Sequence, residues 1–255
     1  MTEIVVELDA RAELGEGPRW HAEERRFYWV DIARNELHRF DPATGGDEVR
    51  RFDQPVGCFA FRDRDGLLLA MKDGCAILDD WAAEPVAFGE QVFAGKPHHR
   101  FNDGRTDCQG RFWVGSVNTA KDAHDAALYR LGPTGRLTEI EGGMLTCNGA
   151  AFSPDGTSFF HTDTPTHALK AYDFDGATGT LSNRRIIKQW PRGMGRPDGG
   201  SFDADGSFVL DVPFADSREL LMDILKYGAQ VEVLAPEALV AAVNEEITRM
   251  AARLK

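Results

Sequence analysis

One short pattern recurs along the chain and constrains its fold more than any other feature. It consists of an acidic or polar turn, usually ending in glycine, followed by four or five apolar strand-forming residues. The copies read RRFYWVD at 25–31, DGLLLAM at 65–71, QGRFWVG at 109–115, DGTSFFHT at 155–162 and DGSFVLD at 205–211. The glycines of the last four copies are 44, 46 and 50 residues apart. The chain is therefore a repeat of short strand-turn units.

A second strand pattern precedes most of these copies by about ten residues. It reads GPRW, VGCFAF, FNDGRTD, NGAAFS and DGGSFD along the chain. Weaker strands such as ELHRFDP and ALYRLGP follow. Several short strands in each unit of about 40–50 residues are typical of propeller blades. The sequence thus predicts a mainly β fold of the β-propeller type, with an ordinary β-sandwich of coincidental spacing as the alternative.

Composition narrows the classes of partner. The chain has 255 residues and a net charge of −12, which argues against binding a nucleic-acid backbone but permits cations and neutral small molecules. No apolar run is long enough to cross a membrane, and the N-terminus has no signal-peptide pattern. The four cysteines, Cys58, Cys75, Cys108 and Cys147, are widely spaced and are interpreted as free thiols of a cytoplasmic protein. We therefore expect no nucleic-acid partner, no membrane and a cytoplasmic location.

The pattern changes near residue 209. Asp216, with Glu219 three residues on, predicts the start of a helix that ends before Gly228. Residues 230–234, QVEVL, alternate as a strand, and Pro236 suits the first turn of a second helix running to about Leu254. We therefore divide the chain into an incomplete propeller at 1–208 and a helix-strand-helix tail at 209–255.

Four polar residues occupy equivalent places before the first strand of their units. They are Glu16, Asn102, Asn148 and Asp198. Equivalent positions of a propeller meet around its central axis, so these side chains should converge at one mouth of the channel. Two carboxylates and amide oxygens form a hard ligand set, which suits Ca²⁺, Mg²⁺ or Mn²⁺. The alternative is that each is only a turn residue, because Asn and Asp before Gly are common in turns.

The motifs LGEGPRW, RFNDGRTDCQGRFWVGS, NGAAFSPDGTSFFHTDT and RPDGGSFDADGSF resemble the gluconolactonase and regucalcin (senescence-marker) family of six-bladed propeller lactonases. The resemblance implies Glu16, Asn148 and Asp198 as ligands of one divalent ion (Ca, Zn, Mn or Mg). It implies Arg100 and Asn102 as substrate-binding residues and a sugar lactone as the substrate. Asp198 is also the expected catalytic base. Some members carry a substrate-holding glutamate where this chain has Ala120.

The last 47 or so residues resemble the C-terminal end of WYL-domain transcriptional regulators, most clearly in VPFADSRELLMDILKYG. A six-bladed propeller would need about 40 residues more for each missing blade. We therefore expect an open arc of four to five blades, with marginal stability, a tendency to aggregate and weak or absent lactonase activity. Two other functions stay open: a calcium- or sugar-binding propeller without turnover, and a regulator or interaction module acting through the tail.

Overall fold

The structure is a computed structural model, and it describes residues 7–192, 195–203, 205–210, 221, 224–225, 231–234 and 236–253. The described chain is dominated by four antiparallel sheets of four strands each, followed by a two-stranded hairpin. In every sheet the strands are neighbours in chain order. This succession of four-stranded meanders is the propeller architecture predicted from the repeat.

The strand bounds follow the repeat closely. The first sheet contains β1 (Gly15–His21), β2 (Arg26–Asp31), β3 (Glu36–Asp41) and β4 (Gly46–Arg51). The second contains β5 (Val56–Phe61), β6 (Leu67–Met71), β7 (Cys75–Leu78) and β8 (Val86–Ala87). The third contains β9 (His99–Thr106), β10 (Phe112–Asn118), β11 (Ala126–Leu131) and β12 (Leu137–Met144). The fourth contains β13 (Cys147–Phe152), β14 (Ser158–Asp163), β15 (Ala168–Asp175) and β16 (Thr180–Gln189). The hairpin contains β17 (Gly200–Phe202) and β18 (Phe208–Leu210).

The recurring apolar copies form the second strand of each sheet, β2, β6, β10, β14 and β18. The pattern that precedes each copy forms the first strand, and the first strands β5, β9, β13 and β17 contact one another in succession. These first strands are called the inner strands below. The glycine-ended turns that join the first two strands of the later sheets have a left-handed glycine, with φ of 89° at Gly66 and 76° at Gly110. The repeat therefore predicted strand order as well as strand content.

Three apolar cores lie between successive sheets, because both faces of each middle sheet are apolar. Leu37 and Phe59 belong to the core between the first and second sheets. Phe101 lies in the core between the second and third, and Trp113 and Phe159 lie in the core between the third and fourth. A stack of Phe160, Phe202 and Phe208 continues the series into the hairpin. Burial between blades, rather than within one central core, thus holds the arc together.

The C-terminal tail is described only in part. The second predicted helix is confirmed as α1 (Glu237–Arg253), with the carbonyl of Pro236 accepting from the backbone N–H groups of Leu239 and Val240. Leu239 and Val243 are buried as their spacing predicts, while Ile247 and Met250 are half exposed. The first predicted helix lies largely outside the described residues, and so does the segment EIVVEL at 3–8, whose sequence also predicts a strand.

The predicted strand at 230–234 needs correction. Residues 231–234 have no regular secondary structure, and Val231 and Leu234 are exposed. Alternation alone cannot make a strand, because a strand also needs a hydrogen-bonded neighbour. Within the described residues no helix is long and apolar enough to cross a bilayer.

Gly57 gives a test of how the inner strands pack. A Cβ atom at this position would lie 2.2 Å from the carbonyl oxygen of Phe101 on the next inner strand. Gly57→Ala should therefore lower the free energy of unfolding by about 2–3 kcal/mol, since the backbone of β9 would have to move. Gly132→Ala is the control, because its Cβ would meet only the Arg136 carbonyl at 3.5 Å. Urea titration of both variants measures the difference, and equal losses would contradict this account.

Candidate functional site

Three inner strands, β1, β9 and β13, depart from regular pairing where predicted site residues lie. The β1–β2 register shifts between Glu16 and Arg19, and the β13–β14 register shifts between Asn148 and Ala151. The β9–β10 pair has a similar shift opposite Phe101 and Gly104. Bulges of this kind re-aim side chains and are common beside active sites. The repeat therefore carries a local distortion as well as a strand order.

Glycine makes two of these distortions possible. Gly17 follows Glu16 and Gly149 follows Asn148, and both have left-handed φ values, 60° and 62°. Residues with a Cβ rarely adopt this region. Gly149 also lies against the backbone of the hairpin, since a Cβ there would be 2.9 Å from the carbonyl oxygen of Asp198. The Asn148-Gly149 pair thus lies in a β-bulge, and its glycine allows the backbone before β17 to come close. It does more than form a turn.

A chain of hydrogen bonds joins the predicted residues of the third and fourth sheets. Nη1 of Arg100 donates to Oδ1 of Asn102 at 2.7 Å, and Nδ2 of Asn102 donates to Oδ1 of Asn148 at 2.7 Å. Nδ2 of Asn148 donates to Oγ1 of Thr164 at 2.8 Å, and this hydroxyl donates to the carbonyl of Pro197 at 2.9 Å. This series of hydrogen bonds ends at Pro197, one residue before Asp198. Arg100, Asn102 and Asn148 are therefore brought together as predicted.

Glu16 and Asp198 each lie near one member of this hydrogen-bonded chain. Glu16 is near enough to raise the pKa of Arg100, although burial of the guanidinium is the larger effect and lowers that pKa overall. The backbone of Asp198 packs against Gly149, next to Asn148. Both carboxylate residues are partly buried. The roles assigned to all five residues stay predictions.

Buried polar residues at the ends of the second strands hold the loops that lead into the inner strands. Asp31 accepts hydrogen bonds from the N–H groups of Glu13 and Leu14, and Asp163 accepts them from Leu145 and Thr146. Burial raises the pKa of Asp31, but the backbone hydrogen bonds outweigh it, so the pKa lies below its usual value. Its stabilising effect is therefore present above about pH 4 and lost as the pH falls.

Lys121 is a residue of the site that sequence reasoning missed. Its ammonium hydrogen-bonds the hydroxyl of Thr146, two residues before Asn148. Its pKa is lowered by burial and then by the charge of Arg100, while Asp163 opposes the shift and Arg196 adds to it. The sequence offered one indication of Lys121, because this residue directly follows Ala120, the position at which some family members have a substrate-holding glutamate.

The donor set at the mouth fits a hard divalent cation. Nδ2 of Asn148 donates to Thr164, and the amide oxygen accepts from Nδ2 of Asn102, which leaves that oxygen one further lone pair. Glu16 and Asp198 add carboxylate oxygens, which Ca²⁺ and Mg²⁺ prefer. Among the described residues, no group of three His, Cys, Asp or Glu side chains could hold a metal ion. An ion here would therefore depend on the amide of Asn148 as well as on the two carboxylates.

Comparison with known proteins identifies the scaffold. The profile of the SMP-30/Gluconolactonase/LRE-like region matches residues 14–211. The chain belongs to this family. A WCX domain, which is a WYL-associated C-terminal domain, matches residues 180–251. The predicted resemblance of the tail to WYL regulators is thus confirmed, and the two matched ranges overlap.

Among curated relatives, the 6-deoxy-6-sulfogluconolactonase of Pseudomonas putida is 38% identical over 76% of this chain and 67% of its own length. The pentonolactonase of Haloferax volcanii is 33% identical over 78% of this chain and 66% of its own length. A solved calcium-binding regucalcin from Agrobacterium tumefaciens matches with a TM-score of 0.73 and 26% identity, over 77% of this chain and 66% of that one. The chain thus spans about two thirds of the length of these proteins.

Thr164 offers a direct test of the hydrogen-bonded chain. Thr164→Val keeps the shape of the side chain but leaves Nδ2 of Asn148 and the carbonyl of Pro197 without this partner. We expect the free energy of unfolding to fall by about 1–2 kcal/mol. Thr164→Ser keeps the hydroxyl and should lose less than half as much. Chemical denaturation measures both, and equal losses would show that the methyl group matters rather than the hydroxyl.

Proposed function

We propose that the chain is a sugar lactonase that uses one divalent cation held by Glu16, Asn148 and Asp198. The observation that carries the proposal is the hydrogen-bonded chain from Arg100 through Asn102 to Asn148 and Thr164. It orients the amide of Asn148, which is one of the three proposed ligands. The sugar lactonases among its relatives support lactone hydrolysis as the reaction.

The reaction opens an ester ring with water. A cation held by Glu16, Asn148 and Asp198 would supply Lewis acidity to the lactone carbonyl. Asp198 takes a proton from the attacking water, whose oxygen bonds to the carbonyl carbon. The bond from that carbon to the ring oxygen then breaks, and the ring oxygen receives the proton that Asp198 took from the water and becomes a hydroxyl. Arg100 and Asn102 hold hydroxyls of the sugar ring, so that the carbonyl is presented in one orientation.

A second candidate function uses the same oxygens without turnover. The regucalcin from Agrobacterium tumefaciens is described as a calcium-binding protein, and this favours calcium or sugar binding as the alternative. Measuring lactone hydrolysis with and without EDTA separates the two. Hydrolysis that EDTA abolishes and added calcium or manganese restores supports the lactonase. Cation binding with no hydrolysis of any sugar lactone supports the alternative.

The surroundings of the cysteines support a reducing location such as the cytoplasm. The four cysteines are free thiols, and Cys58, Cys75 and Cys147 are buried. Burial raises the pKa of Cys75 to about 12, which keeps this thiol protonated and unreactive at neutral pH. A small sugar lactone remains the expected partner. The WCX match supports, for the tail, the interaction role kept open above.

Asp198 tests the cation site. Asp198→Ala removes one of the two carboxylates, so divalent-ion affinity should fall by at least about a hundredfold. Asp205→Ala removes a carboxylate from the turn between β17 and β18 and should leave the affinity unchanged. Calorimetric titration with calcium and manganese measures both. Unchanged affinity in the Asp198 variant would refute the ligand assignment.

Asn102 tests the substrate side of the site. Asn102→Ala deletes the amide that links Arg100 to Asn148 but removes no proposed cation ligand. Turnover of gluconolactone should fall about 10- to 100-fold, because the ring loses its orientation, while cation affinity stays within about threefold. Steady-state kinetics and calorimetry on the same sample separate the two effects. A parallel loss of cation affinity would make Asn102 part of the cation site instead.

A further inference from the structure

The turn that follows β14 is bonded to the segment that leads into β17. It comprises the short 3₁₀ helix Thr164–Thr166 and its C-cap residue His167. Oγ1 of Thr164 donates to the carbonyl of Pro197 at 2.9 Å, and Nδ1 of His167 bonds the carbonyl of Gly195 at 2.9 Å. Two side chains of one turn therefore bind two carbonyls of the segment before β17.

The chemistry of the acceptors determines the direction of both bonds. A backbone carbonyl only accepts, so the hydroxyl hydrogen of Thr164 points to Pro197, and a lone pair of the same oxygen accepts from Nδ2 of Asn148. For the same reason Nδ1 of His167 carries a hydrogen, as it does in the cationic ring and in one neutral tautomer. Thr164 thus links the amide of Asn148 to the residue before Asp198.

Backbone hydrogen bonds hold the turn itself. The N–H of Thr164 donates to the carbonyl of Thr146 at 3.0 Å, and the N–H of His167 donates to the carbonyl of Thr164 at 3.1 Å. The carbonyl of His167 accepts from the N–H of Trp190 at 2.8 Å, just beyond the end of β16. Pro165 lies in the first turn of the 3₁₀ helix, and its ring restricts φ. The two side chains therefore extend from a backbone that is itself held in place.

The segment that they bind has no regular secondary structure at residues 195–199. It lacks the ladder of backbone hydrogen bonds that holds a strand. Packing limits it on one side, since a Cβ on Gly149 would lie 2.9 Å from the carbonyl oxygen of Asp198. Such packing prevents the backbone from moving closer but supplies no bond that prevents it from moving away. The two hydrogen bonds from the turn supply that attachment.

We propose that Thr164 and His167 are positioning residues that hold Asp198 beside Asn148 at the mouth. This inference rests on the proposed function, in which Asn148 and Asp198 are cation ligands and Asp198 is also the base. Ligands that are already in place lose little freedom when a cation binds, so holding them beforehand raises the affinity. Without the two hydrogen bonds, cation binding would also have to order the segment. Neither side chain needs to contact the cation itself.

Backbone nitrogen relaxation of the isotope-labelled full chain tests the position of Asp198 without any cation. We expect the Asp198 amide to have an order parameter of about 0.85 in the unsubstituted chain, and below about 0.6 in the double variant Thr164→Val, His167→Ala. Thr164→Ser keeps the hydroxyl, and His167→Asn places an amide nitrogen where the ring has Nδ1, so both should stay ordered. Thr166→Val is the matched control, because this hydroxyl lies in the same turn but donates to the carbonyl of Asp163.

Calorimetric titration with calcium and manganese measures the consequence for the proposed cation site. Affinity should fall about fivefold in Thr164→Val and in His167→Ala, and about twentyfold in the double variant. Thr164→Ser and His167→Asn should recover most of the loss, and Thr166→Val should match the unsubstituted chain. A variant that is only less stable still binds with full affinity while it is folded, so affinity separates positioning from stability. The single variants keep the test valid if the double variant does not fold.

The outcomes separate this inference from the proposed function. Loss of order at Asp198 in the double variant of a chain that binds no cation supports the inference and refutes the cation site. Unchanged order at Asp198, or unchanged cation affinity in a chain that binds cations, overturns the inference and leaves the lactonase proposal intact. In that case the packing of Gly149 against Asp198 is sufficient to hold the segment.

Discussion

The close approach of consecutive inner strands is the constraint on which the rest of the molecule depends. Gly57 lies against the carbonyl of Phe101, and Gly149 lies against the carbonyl of Asp198. At both places a side chain would push two blades apart. Because the blades meet backbone to backbone at the axis, their outer parts diverge and the three apolar cores fill the wedges between them. The same geometry brings the residues before these glycines to one mouth.

The second blade is an exception that defines the polarity of the mouth. Its counterpart of Glu16 and Asn148 is Gly57, which has no side chain. The residue before it, Val56, is fully buried and pairs with Met71, whereas Gly15 pairs with Asp31 in the first blade and Cys147 pairs with Asp163 in the fourth. Both polar positions of the repeat therefore lack a polar side chain in this blade. Its inner strand contributes packing and no ligand. The polar groups come instead from the first, third and fourth blades and from the segment before β17.

The sequence was sufficient for the strand order and for the contact between Asn102 and Asn148, because the repeat determines which residues occupy equivalent places. The sequence could not predict that Lys121 lies near these residues. The loops between second and third strands differ in length, so their residues do not occupy equivalent positions from one blade to the next. The sequence also failed at residues 231–234, where alternation suggested a strand but pairing decides. Periodicity thus predicts the scaffold, while loop side chains depend on particular hydrogen bonds.

The overlap of the two family matches, residues 180–211, can be interpreted from contacts. Arg105 on β9 donates to the carbonyl of Ala150 at 3.3 Å and to that of Gly200 at 3.2 Å, so one guanidinium links three inner strands. Phe202 and Phe208 pack on Phe160 of the fourth blade. By these contacts the hairpin is part of the propeller. We therefore propose a domain boundary just after β18, close to the division expected at residue 208.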